Sequence, residues 1–260
     1  MNFKRIIYAL LYCDRNFYLS RNFRLQKVGN VDWLKSNFGF GETCNFIDEL
    51  IILNVKTDPT KEDFKFFFQD INRLREKIFV PITLGGGVRT LDHAKNYFDN
   101  GADKILINYL AHHNRDVCKK ISNIYGEQAI SIMVDFKKNN NITSTYTNSG
   151  KILSQNLKDF ILSVTEIKFG ELILNSIDKD GTASGFSLDC LELIPEEFKN
   201  PILMMGGAGK PEHFWPVLSE KKISGVITAN IFNFLGNGLE EARNYSIEKN
   251  IRLVKFKSED

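Results

Sequence analysis

Disulfide-capable cysteine is scarce in this chain. Its four cysteines, Cys13, Cys44, Cys118 and Cys190, are far apart among 260 residues, with no CxxC pair and no histidine at zinc-ligand spacing. A disulfide framework is excluded, no metal site is indicated, and neither a metal nor another cofactor is expected. An excess of one charge is lacking too: 34 Lys and Arg stand against 32 Asp and Glu. So even a balance gives no polyanion-coating surface, and nucleic acid and anionic membrane are not expected partners. Long apolar runs are also missing. The N-terminal MNFKRIIYALLYCDRNFYL breaks at Cys13-Asp14-Arg15 and has no small-residue cleavage site, so it reads as a first buried strand and not a leader or a span. A reducing cytosol is the simplest compartment. With 43% hydrophobic residues the chain can bury a substantial core, as two ordinary domains or one large α/β barrel.

What is present decides between those two. Short, continuously apolar runs recur at 5–11, 49–54, 80–84, 104–108, 129–134, 171–175, 201–205 and 225–229. Continuous hydrophobicity suits parallel strands buried on both faces. Between most of them lie helical patterns, such as 60–78, 90–100 closed by Gly101, and 154–169 opened by a serine cap. Eight strands alternating with helices predict a single (β/α)8 TIM barrel of the α/β class over residues 1–260. Two segments interrupt the alternation, a basic and aromatic connection at 12–30 and a polar loop or hairpin at 136–150; each follows a strand, where a barrel places its lids. The bland alternative is a pair of solvated insertions.

The chain also repeats itself. DELIILNVKTDPT (48–60) aligns with GELILNSIDKDGT (170–182) at an offset of 122 residues, and PITLGGGVRTLDH (81–93) with PILMMGGAGKPEH (201–213) at an offset of 120. One long-period repeat predicts two half-barrels, each with its own copy of a site. In each half a glycine cluster follows a strand, Gly85-Gly86-Gly87 and Gly206-Gly207-Ala208-Gly209. Backbone N–H groups there approach an anion closely, and Asn108, Ala229 and Asn230 at the next strand ends complete two phosphate cradles. Either cluster by itself could be a simple turn. Asp135 ends the apolar run SIMVD and is placed for acid/base work at the barrel mouth, unless it only caps a helix or pairs with a loop cation. Asp178 and Asp180 occupy the same place after the sixth strand. His93 and His213, on helices beyond the clusters, read as structural.

These motifs together carry a resemblance. From Lys4 to about Leu253 the chain resembles the HisF family, the cyclase subunits of imidazole glycerol phosphate synthase, through KRII (4–7), DEL (48–50), GGGV (85–88), GADKILIN (101–108), SIDKDGTASGF (176–186), GGAGKPEHF (206–214) and ANIF (229–232). The resemblance implies a barrel that receives ammonia at its base from a HisH-like glutaminase, as a heterodimer, and uses it at the mouth on a phosphorylated small molecule. It implies a charged ring at the base, Arg5, Glu49, Lys104 and Glu171, with Asp103 at the partner interface; the plain alternative is a salt-bridge layer that closes the barrel. It implies phosphate binding at Gly86, Gly87 and Asn108, and at Asp180, Gly181, Thr182, Gly206, Gly207, Ala229 and Asn230.

The mouth departs from the family. Where the family has a catalytic aspartate ending the first strand, opposite the one that is Asp135 here, this chain has Leu11. Leu19 stands at a family lysine, Asn54 at a family aspartate and Met205 at a polar position. Leucine transfers no proton, so a two-carboxylate mechanism is not expected to run unchanged. A divergent paralogue is implied, with surface-sugar amidination as one setting and a non-catalytic ammonia conduit, serving a third sugar-modifying enzyme, as the other expectation.

Overall fold

The computed structural model describes residues 3–38, 44–230 and 237–256. Its strands are β1 (Arg5–Cys13), β2 (Asn16–Arg21), β3 (Arg24–Gly29), β4 (Glu49–Asn54), β5 (Ile82–Gly85), β6 (Lys104–Ile107), β7 (Ile130–Asn139), β8 (Ile142–Thr147), β9 (Ile152–Asn156), β10 (Glu171–Ser176), β11 (Ile202–Met205) and β12 (Ile223–Thr228). Eight of them pair in parallel in the order β1-β4-β5-β6-β7-β10-β11-β12, and β12 returns to β1. The sheet is therefore a closed (β/α)8 TIM barrel. Helices α1 (Val31–Phe38), α2 (Lys61–Leu74), α3 (Leu91–Asp99), α4 (Tyr109–His113), α5 (Arg115–Tyr125), α6 (Leu157–Val164), α7 (Phe214–Leu218) and α8 (Gly238–Glu248) follow the wall strands, with a 3-10 segment, Leu188–Leu193, after β10.

Alternation along the strands separates two apolar cores. Outward residues such as Tyr8, Leu10, Leu50, Ile52, Ile132 and Leu172 pack beneath the helices. Inward ones, Ile7, Ile51, Leu106, Met133, Ile173, Leu203 and Ile227, fill the barrel. Both faces are buried, which is why the strands read as unbroken apolar runs. Helix α2 begins at a capping box in which the Thr60 hydroxyl accepts from Asp63 N and the Asp63 carboxylate accepts from Thr60 N, and it buries Phe64, Phe67, Phe68, Ile71 and Leu74 against the wall.

The interruptions are ordered β-structure. β1 runs on past the wall and folds into β2 and β3 through two tight turns, Asp14-Arg15 and Asn22-Phe23, whose residues all adopt left-handed backbone. Paired positive φ angles define the hairpin turn that matches strand twist. β7 likewise runs on into an antiparallel ladder with β8 and β9. One expectation is corrected here. The helix read over 154–169 from a serine cap begins instead at Leu157, capped by Asn156, because Ile152–Asn156 completes the ladder with β8. Ser154 sits within that strand, its hydroxyl 3.0 Å from His112 Nδ1.

The base is tied by a buried cation. Arg243 of α8 donates to the carbonyls of Phe46 and Val254 and to Asp48 Oδ2 at 2.6 Å, while the same carboxylate oxygen accepts from Ile6 N. Helix α8, the segment that follows it and the approach to β4 converge on one guanidinium, and Asp48 extends the tie to β1. Removing one partner of a buried pair strands the other, so Arg243→Ala is expected to lower unfolding free energy by about 3 kcal/mol or more in urea denaturation.

Candidate active site

Inward charges form a closed ring at the base of the barrel. Arg5 reaches Glu49 at 3.2 Å and Glu171 at 2.6 Å, and Lys104 reaches the same two carboxylates at 2.7 and 3.1 Å. Signs alternate around the circle, so each charge faces two of the other sign. Thr83 and Ser131 add hydroxyl donors to Glu49 and Glu171. Burial favours the protonated form of Glu171, but Arg5 and Lys104 outweigh it and hold the group below the ordinary carboxylate range. Asp103 lies beside the ring, exposed, accepting from Ile82 N at 2.8 Å.

At the other end of the apolar interior stands Asp135, buried at the inward-facing end of the wall portion of β7. Asn175 donates to one of its oxygens at 2.7 Å and Asn108 to the other at 2.8 Å. Burial pushes its carboxyl up to about 7, and nearby Asp180 adds to the rise, while the two amides oppose it. Around it a cavity of about 210 Å³ is lined by Leu11, Leu53, Leu106, Met133 and Met205. Leu11 thus occupies the mouth beside Asp135 and supplies no proton-transfer group. Asn54 also borders this cavity, although it lies out of register with the inward-facing Ile51 and Leu53, and its side-chain oxygen accepts from Lys56 N. Asn175 is a partner of Asp135 that the sequence reading passed over; its place at the end of ELILN, one residue short of the strand end, was the available signal.

The glycine clusters sit at equivalent points. A Cβ on Gly86 would stand 1.9 Å from Asn54 O, and one on Gly206 would stand 2.7 Å from Ser176 O, so both positions admit only glycine. Below each turn a histidine braces it: Arg89 N donates to His93 Nδ1 at 3.4 Å, and Gly209 N to His213 Nδ1 at 3.1 Å. Gly86, Gly87 and Asn108 line the cavity that holds Asp135. Gly181, Gly206, Gly207, Ala229 and Asn230 line a second cavity of about 180 Å³. Ile231 and Phe232 of the ANIF motif lie outside the described residues. Thr182 lines neither of these cavities; its hydroxyl donates to Lys179 O within its own loop. Asp180 borders both but is engaged by the β2–β3 hairpin, accepting from Ser20 Oγ at 2.5 Å and Phe23 N at 3.0 Å. Asp178 does the same for the other insertion, accepting from Lys138 N. The two loop acids therefore fasten the two insertions over the mouth.

The model of the histidine biosynthesis protein family matches residues 45–237. A protein of Parasynechococcus marenigrum (strain WH8102), named for subunit hisF2 of imidazole glycerol phosphate synthase, is 40% identical over 244 residues, covering 94% of this chain and 90% of its own. The chain belongs to the HisF family. Imidazole glycerol phosphate synthase subunits HisF of Chlorobium phaeovibrioides and Prosthecochloris aestuarii are 32% and 31% identical, over 89% and 95% of this chain and 94% and 97% of theirs. HisF proper is thus more distant than the hisF2 relative, and the chain is a divergent HisF paralogue. Among the described residues no helix is long and apolar enough to cross a membrane.

Asp135 should leave a signature in stability. Its carboxyl is raised in the folded state, so the native protein keeps a proton that the unfolded chain has lost between about pH 4 and pH 7. Stability contributed by that proton is present below the unfolded value and lost as pH rises through the folded one. Urea unfolding of the wild type and Asp135→Asn across this window is expected to diverge in the variant's favour, by at most roughly 4 kcal/mol. Parallel curves would show that Asp135 is ionised throughout.

Proposed function

We propose that this HisF-family chain is the synthase subunit of a glutamine amidotransferase of the imidazole glycerol phosphate synthase type. A HisH-like glutaminase docks at the base near Asp103 and releases ammonia beneath the ring of Arg5, Glu49, Lys104 and Glu171. Ammonia is small and uncharged, so the apolar interior admits it while ions are disfavoured. The observation that carries this reading is the vertical order: a paired charge ring, an apolar interior, then Asp135 as the inward acid between two glycine cradles. A phosphorylated acceptor spans the cradles and presents an electrophilic carbon to the arriving nitrogen. As the carbon–nitrogen bond forms the nitrogen must lose a proton, and Asp135, poised at about 7, is suited to take it near neutral pH.

The same site supports a different acceptor from that of HisF proper. Leu11 leaves one carboxyl where a cyclisation needs an acid and a base, and Leu19 and Met205 further reduce the polar complement. One carboxyl that takes a proton from the nitrogen and returns it to the departing oxygen serves a single amination of an acceptor whose oxygen is already activated as a leaving group, as in amidination of a surface sugar. If Asp135 is not used at all, the barrel serves as an ammonia conduit to a third, sugar-modifying enzyme.

The test is to mix the chain with a HisH-like glutaminase and follow glutamine hydrolysis and product, with and without the family's ribulosyl aminoimidazole carboxamide substrate. Stimulated glutaminase activity with little or no imidazole glycerol phosphate is expected, and formation at ordinary rates would overturn the paralogue reading. Leu11→Asp alone is expected not to restore cyclisation; full recovery from that one change would show that Leu19 and Asn54 are immaterial. With the true acceptor, Asp135→Asn should lower product formation by about 100-fold or more while glutaminase stimulation persists. Product formation unaffected by Asp135→Asn would favour the conduit.

A further inference from the structure

The two cradles differ in their cations. At the first, Arg89 is engaged by Asp58 at 2.5 Å and lies over the Tyr109 ring, and Lys56 is held between Asp14 and Asp63 at 2.7 and 2.8 Å. Those charges already have partners. At the second, Arg21 and Arg24 of the β2–β3 hairpin line the cavity with Gly206, Gly207, Ala229 and Asn230, and neither forms an ion pair among the described residues.

The hairpin sets this pair by its backbone. Arg21 and Arg24 are direct cross-strand partners on either side of the Asn22-Phe23 turn, so two like charges face each other. Such a pair destabilises a hairpin unless a counter-charge lies between or beside it. The hairpin is nonetheless pressed onto the cradle: a Cβ on Gly181 would stand 2.1 Å from Ser20 O and 3.0 Å from Arg21 Cβ. Asn22 N donates to Asp180 O at 3.0 Å, and the Asn22 amide to Ile177 O at the same distance. Those bonds fix the arginine stems at the rim, and Leu19, at the family's lysine position, also lines the cavity without a charge.

We propose that Arg21 and Arg24 form a guanidinium clamp that closes the second cradle over a phosphoryl dianion of the acceptor, either a terminal phosphate or a diphosphate. The clamp rests on the reading of this cavity as an anion cradle and assigns to two hairpin arginines the cationic role that Leu19 does not fill. Guanidinium groups meet phosphate oxygens in paired hydrogen bonds, so two of them neutralise a doubly charged group and relieve their own repulsion together. Asp180 borders both cavities alike, but strongest anion binding belongs at the second cradle, because the first must also compete with Asp58, Asp14 and Asp63 for its cations.

The experiment is calorimetric titration of the full chain with inorganic phosphate and, separately, with pyrophosphate. Arg21→Gln or Arg24→Gln is expected to weaken binding about tenfold and the double variant about 100-fold, with lysine at both positions recovering part of the loss and Lys35→Gln, at a residue that lines neither cavity, changing little. Loss for both anions identifies a terminal phosphate, and loss for pyrophosphate alone a diphosphate; either supports the clamp. Hydrogen exchange in the wild type provides a second reading free of substitutions, since phosphate should slow exchange across residues 16–29. Unchanged affinity in the double variant, no binding of either anion by the wild type, or unchanged exchange would each overturn the clamp. Glutaminase stimulation and product formation are read separately, so their failure with phosphate binding intact would instead overturn the synthase reading.

Discussion

An ionised side chain inside a barrel is tolerable only if its charge is met there, and the base of this molecule depends on how four of them meet. Glu49 and Glu171 come from strands on opposite sides of the wall, four apart around the eight, and Arg5 and Lys104 from strands three apart. No pair is adjacent in sequence, and a ring with alternating sign exists only when all the contributing strands stand in register. Losing one member would leave its two neighbours buried with a single shared partner of opposite sign, an imbalance that costs stability. The ring is therefore both a check on barrel closure and a polar layer beneath a run of aliphatic side chains. Whatever crosses that interior must do so without a charge.

The same restriction explains the state of Asp135. Its height above the ring puts it among Leu11, Leu53 and Met133, where a carboxylate has little solvation to draw on. In a mouth with a second, facing carboxylate, mutual repulsion would divide the two titrations. Here Leu11 removes that partner, and desolvation becomes the leading cause of the rise, partly offset by the amides of Asn108 and Asn175. An inward carboxyl balanced near neutrality, with Asp180 held by the hairpin, can accept and return one proton. That suits a reaction with a single transfer better than a cyclisation that needs donor and acceptor at once.

The barrel was legible because parallel strands buried on both faces leave a crude signal, an unbroken apolar run, and because the half-barrel repeat placed corresponding residues at nearly the same offset, 122 and 120. Glu49 and Glu171 show the strength of that signal, and so do Gly86 and Gly206, each backed by the end of the strand before it. The insertions were less legible. Ser154 looked like a helix cap, but capping is a local preference and the ladder with β8 is a tertiary one, and the ladder prevails. Asp180 borders both cavities, as its motif implies, while its carboxylate also bonds the hairpin; the Thr182 hydroxyl bonds its own loop. A motif specifies where the backbone goes more securely than where a carboxylate or hydroxyl points.

What the hairpin adds follows from its stiffness. A flexible lid must lose conformational entropy when it closes, and that loss subtracts from ligand affinity. Residues 16–29 avoid much of it, because two left-handed turns and antiparallel ladders to β1 and within the hairpin specify its course before any ligand arrives. Asp180 and Asn22 then fasten the tip to the loop after β10, which also ends at the second glycine cradle through the Gly185 N to Gly207 O hydrogen bond at 2.9 Å. Hairpin, loop and cradle are consequently one continuous hydrogen-bonded unit. Leu11 leaves one side of the mouth without a second proton-transferring group there, while this unit holds Arg21 and Arg24 at the rim of the other.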